Sequence, residues 1–98
     1  MNIIKNLDGS KLSLALDGRL DTTTAPELEK ELTESVGGIT ELTFDLKALD
    51  YISSAGLRVL LAAQKRMNKQ GSMVIRNASE DIMDIFEVTG FVDILTIE

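Results

Sequence analysis

The sequence predicts an α/β domain: a mixed sheet of four to five strands with helices mostly on one face. Three observations carry that prediction. Two runs, Lys11 to Asp17 and Thr40 to Leu46, alternate apolar and polar residues, as strands with one buried face do. Apolar residues recur at helical spacing through Ala25, Leu28, Leu32 and Val36, and an apolar run fills Leu57 to Met67. Helical segments that fall between strands imply parallel crossovers, which makes the sheet mixed.

The elements follow in the order β-β-α-β-α-β-α, with a further extended segment at the end. Ile3, Ile4 and Leu7 open a short strand, and Asp8-Gly9 suits a tight hairpin whose central positions need positive φ. Leu12, Leu14 and Leu16 then share one face of the second strand, so residues 2–18 read as a β-hairpin. Gly18 to Thr24 is a polar connection. Thr24-Ala25-Pro26-Glu27 has the spacing of a capping box, with proline in the first turn where its missing N–H costs nothing. Glu27, Glu29, Lys30, Glu31 and Glu34 form the wet side of the first helix, and Gly37-Gly38 stops it. Leu42, Phe44 and Leu46 line one face of the next strand, and Ala48 to Ile52 leads into Ser53-Ser54. The second helix is largely buried, with Lys65, Arg66 and Lys69 at its far end, where cations suit the dipole. Gly71 ends it. Met73-Val74-Ile75 is a short buried strand, and Ser79 caps a third helix with Glu80 and Asp81 in its first turn. Gly90 stops that helix. Phe91 to Ile97 reads either as a final strand or as an irregular extended tail.

Composition bounds the function. Ninety-eight residues suit one domain, 1–98, with a modest core of its own. Sixteen acidic against ten basic residues give net −6, which disfavours nucleic acid and anionic membrane as partners. No apolar run approaches the roughly 18 residues of a membrane span, and residues 1–10 lack signal-peptide character, so the default expectation is a cytoplasmic address. Cysteine and histidine are absent, which removes disulfides, thiolate chemistry, Cys/His zinc sites and any Ser-His-Asp triad. Neither the Gly-Lys-Ser/Thr phosphate loop nor the Gly-x-Gly-x-x-Gly fingerprint occurs. Asp45 and Asp50 flank the serine loop as candidate metal ligands, but read better as loop carboxylates; no metal and no cofactor is expected.

The chemistry gathers at Ile52-Ser53-Ser54-Ala55-Gly56-Leu57-Arg58. Here two hydroxyls stand where a loop enters a helix, beside free backbone N–H groups at the positive end of the dipole. Such a place tolerates a phosphate. Serine is also a preferred N-cap, so a Ser-Ser pair alone decides nothing.

Gly18-Arg19-Leu20-Asp21 before a helix, followed by Asp50-Tyr51-Ile52-Ser53-Ser54-Ala55-Gly56-Leu57, resembles the STAS domain of bacterial anti-sigma factor antagonists. The resemblance spans essentially the whole chain. It implies a non-enzymatic switch whose unphosphorylated form binds an anti-sigma factor with serine kinase activity and so frees a sigma factor. The kinase phosphorylates the antagonist, which lets go, and a serine phosphatase resets it. Matching on Gly56-Leu57 places the phosphoserine at Ser54, with Ser53 as second choice because it stands where many members carry aspartate. The implied partner surface comprises Asp21, Thr22, Thr23, Asp50, Ile52, Ser53, Ala55, Gly56, Leu57 and Arg58 on a chain that is a monomer when free. The competing expectations are a STAS subunit of a non-sigma signalling or transporter complex, and a nucleotide-binding module.

Overall fold

A two-residue turn starts the sheet. The computed structural model describes residues 1–98 and pairs β1 (Asn2–Asp8) with β2 (Lys11–Leu20) antiparallel, Asp8 opposite Lys11. The central turn residues are thus Gly9 and Ser10, not Asp8 and Gly9. Only Gly9 takes a positive φ, 61°, which fits the turn type that needs glycine at its first central position.

The chain continues through α1 (Ala25–Ser35), β3 (Glu41–Ile52), α2 (Ser54–Gln70), β4 (Ser72–Arg76) and α3 (Glu80–Thr89). The sheet order is β1-β2-β3-β4, with β2, β3 and β4 mutually parallel, so the fold is the mixed four-stranded α/β arrangement that the sequence predicts. Register explains the core. Leu12, Leu42 and Met73 lie in one row across the sheet, and Leu14, Phe44 and Ile75 in the next. Leu28, Leu32, Leu60, Met67, Ile82 and Phe86 from the helices join the same buried cluster. On the opposite face Ser13, Ala15, Thr43, Asp45 and Val74 are only half-buried, so the helices cover one face.

Strict alternation fails near the end of β3, and the failure positions the loop that follows. Buried residues run Leu42, Phe44, Leu46, then Leu49 and Ile52. The pairing with β2 slips twice, between Ala15 and Asp17 and between Gly18 and Arg19, with β3 supplying the extra residue each time. These bulges bend the strand and re-aim the loop at its end. They also extend β2 to Leu20 and join Thr40–Leu46 with Ala48–Ile52 as one strand, where the sequence suggested separate pieces.

Gly71 ends α2 for a reason of space. Its φ of 172° is ordinary extended backbone, but a Cβ there would lie 1.9 Å from the Thr40 carbonyl oxygen. That oxygen accepts from Ser72 N as β4 begins. The final-strand reading of Phe91 to Ile97 does not hold. Gly90 turns left-handed at φ 80°, a 3-10 turn fills Phe91–Asp93, and Leu95 donates back to Phe91 while its side chain enters the core. Only Ile97 remains to make a single parallel bridge to Ile75.

Candidate functional site

Two segments meet at the C-terminal ends of the parallel strands: the turn from β2 into α1, and the junction of β3 with α2. The second begins with Ile52, 2% exposed, which anchors the loop in the core. Ser53 is the N-cap in extended conformation. Its amide donates to the Leu20 carbonyl at 2.9 Å, tying the junction to β2, and its Oγ accepts from Gly56 N at 3.4 Å. Ser54 is the first residue of α2 and is exposed, and its hydroxyl makes no hydrogen bond within the chain. The two serines therefore divide the labour. Ser53 holds the helix end, and Ser54 presents a free hydroxyl at a terminus with no acidic residue in its first turn to offset the dipole.

Gly56 is not a surface glycine. A Cβ there would lie 2.6 Å from Leu20 Cγ and 2.9 Å from Ile52 Cγ1, so the absent side chain lets α2 seat against β2 and β3. Leu57 is also buried, at 6% exposed. Among the expected partner-binding residues, Ile52, Gly56 and Leu57 thus face inward, because the helix and strand need them for packing; they hold the surface and do not form it. Ala55 is half-buried, and Asp50 and Arg58 are exposed.

The β2–α1 turn is organised by Asp21. Its Oδ1 accepts from the amides of Thr23 and Thr24, at 3.0 and 3.1 Å, and from the Thr23 hydroxyl at 2.7 Å. The Thr23 hydroxyl, foremost, with both amides and the Thr24 hydroxyl, holds the Asp21 carboxyl below its ordinary value against a partial desolvation. The Thr24 hydroxyl accepts from Asp21 N at 2.8 Å and donates to the Arg19 carbonyl at 2.7 Å. It makes no cap bond to α1, so the expected capping box is replaced by this aspartate-centred turn. Asp21 outcompetes it because one carboxylate oxygen can receive several donors at once.

Sequence reasoning passed over Arg19 and Tyr51 as site residues. They face each other across β2 and β3, with the guanidinium 4.4 Å from the ring centre and 3.8 Å from Asp21 Oδ2. Both are exposed, at the same end of the sheet as Ser53. Their pairing across two strands was invisible until the bulges set the register. Also unforeseen is a groove of about 410 Å³ between α1 and α2. Thr22, Ala55 and Arg58 line it, so the structure brings these three expected residues to one surface. Arg66 lines it two turns further along. The recurrence of Arg58, Ala62 and Arg66 every fourth residue was the available signal.

Asp45 and Asp50 do not form a pair. Asp45 Oδ1 accepts from the Asn77 side chain and from Lys47 N, both at 3.0 Å, and these bonds lower its carboxyl pKa, the Asn77 contact most. It ties the middle of β3 to Asn77, just beyond the end of β4. No three acidic side chains converge to a metal-holding cluster, and no helix is long and apolar enough to cross a membrane.

The STAS domain family matches residues 2–98. BtrV of Bordetella bronchiseptica is 37% identical over 93% of this chain and 79% of its own length. The anti-sigma-B factor antagonist of Bacillus subtilis is 30% identical over 99% of this chain and 90% of its own. Among solved structures, the Bacillus cell fate determinant SpoIIAA in its phosphorylated form superposes with a TM-score of 0.78 over 99% of this chain and 91% of its own, at 15% identity. Matched over residues 2–98, the chain belongs to the STAS domain family.

Proposed function

We propose that this protein is an anti-sigma factor antagonist: a non-enzymatic partner switch that docks an anti-sigma factor through the surface around Ser54. The relatives named for that role cover nearly the whole chain and support the reading. The observation that carries it is the exposed, unbonded hydroxyl of Ser54 on the first turn of α2, beside a Ser53 hydroxyl already engaged with Gly56 N.

In the unphosphorylated form the Ser54 end of α2 and the Asp21 turn lie against an anti-sigma factor that is itself a serine kinase. The kinase transfers the terminal phosphoryl group of ATP to Ser54 Oγ, the hydroxyl proton leaves, and ADP is released. The phosphoserine carries about −1.5 to −2 charge. At a helix N-terminus that charge is tolerated by the antagonist itself. Facing a partner, it sets a hydrated dianion against a fitted surface, and like-charge contacts there cost several kcal/mol. Each 1.4 kcal/mol is a tenfold loss of affinity. Hydrolysis by a serine phosphatase restores the first state. The antagonist acts in the cytoplasm as a monomer between encounters.

The test is to incubate the purified chain with the host's candidate serine kinase and ATP, then sequence the peptide spanning both serines by mass spectrometry. One phosphate on Ser54 is expected. Phosphate on Ser53 alone, or none under conditions where the kinase consumes ATP on another substrate, would contradict the reading.

A further inference from the structure

The α1–α2 groove has an apolar floor and charged rims. Ala25 and Leu32 come from α1, Val36 from its C-cap, and Val59, Ala63 and Met67 from α2. Ala55 and Ala62 keep its α2 wall low. That wall carries Arg58 and Arg66, while Glu29 stands on the α1 wall. Neither arginine nor Glu29 takes part in any of the four ion pairs of the chain. On a protein of net −6, two unneutralised arginines along one apolar groove mark charge left for an occupant.

We propose that this groove docks an acidic amphipathic helix of the partner kinase, with its carboxylates on Arg58 and Arg66. The inference rests on the partner-switching reading above and extends it to a named surface. Eight residues of α-helix separate the two arginines by about 12 Å, so acidic residues seven or eight apart on a partner helix lie opposite both. Apolar residues between them fill the alanine-lined floor, the helix-in-groove mode of recognition. A basic residue on the other edge of that helix meets Glu29 and fixes its direction. Arg58 lies four residues beyond Ser54 on the same helix, close enough for the two side chains to meet. A phosphate on Ser54 therefore competes for the guanidinium that the partner's carboxylate uses. Release then comes from occupied charge as well as from repulsion.

The probe is the purified host kinase with ADP, measured by calorimetry against variants of the full chain. Ala62→Trp fills the groove from an exposed position, and Arg66→Glu inverts a charge two turns from the switch. Each should weaken binding at least tenfold. Lys65→Glu, exposed but outside the groove, should stay within twofold. A photo-crosslinker at position 62 should attach to a kinase segment with acidic residues at helical spacing. If both groove variants bind as the parent while Ser54→Asp loses the kinase, the groove proposal fails and the switch survives. If Ser54→Asp also binds as the parent, or the parent does not bind, both fail. A fatty acid retained in native mass spectrometry and expelled by Ala62→Trp, or a dimer of this chain broken by it, with kinase affinity unchanged, also overturns the groove proposal.

Discussion

Ser53 and Ser54 are neighbours of one residue type with different jobs, and backbone geometry decides which does which. Ser53 lies in extended conformation and turns its Oγ onto the first turn of α2, whereas Ser54 is already helical and points out. Ser53→Ala should therefore cost about 1 kcal/mol of stability through the lost cap, read from urea denaturation, while Ser54→Ala stays within about 0.5 kcal/mol. Gly56→Ala belongs to a third class. Its methyl group meets Leu20 and Ile52, and overpacking of this kind costs about 1–3 kcal/mol in the same measurement. Asp21 gives a pH prediction. Its carboxyl is more acidic folded than unfolded, so its contribution is present above the ordinary value of 3.8 and is lost as pH falls through the folded value. NMR titration should place its midpoint below 3.8, with the Thr23 amide shifting in step.

At the scale of the element, what the sequence disclosed and what it withheld divide along physical lines. Alternation in Lys11–Asp17 and Thr40–Leu46, and the helical recurrence of Ala25, Leu28 and Leu32, are one-body signals of burial, and they located the strands and helices correctly. The Ser79 cap was equally legible, since its Oγ accepts from Ile82 N as local spacing requires. Features set by two segments at once were not. The bulges in β3 exist only relative to β2, so the stacking of Arg19 on Tyr51 had no local trace. The reason for Gly56 lay in Leu20, thirty-six positions earlier, and the reason for Gly71 in Thr40. Gly71→Ala should accordingly destabilise more than Gly56→Ala in urea, because a backbone carbonyl 1.9 Å away yields less readily than the leucine and isoleucine side-chain carbons at 2.6 and 2.9 Å. The tail from Phe91 carried enough apolar residues for a strand, but Leu95 spends its burial on a turn packed into the core.

For the molecule as a whole, the proposed switch is a surface event on a buried support. Ile52 and Leu57 root both sides of the serine in the core cluster, with Gly56 buried beside them, whereas Ser54 itself is exposed, so charge added there meets solvent rather than the core. Ser54→Asp should keep the circular dichroism spectrum and lie within about 1 kcal/mol of the parent in stability, a change that cannot account for release through unfolding. In the proposed switch, the hydroxyl of one residue decides whether a second protein docks. The most direct measurement is calorimetric titration of the anti-sigma kinase, loaded with ADP, into the chain prepared unmodified and phosphorylated at Ser54. The account predicts binding to the unmodified chain and at least a hundredfold weaker binding to the phosphorylated one, with the fold of both unchanged. Equal affinity for the two forms contradicts it.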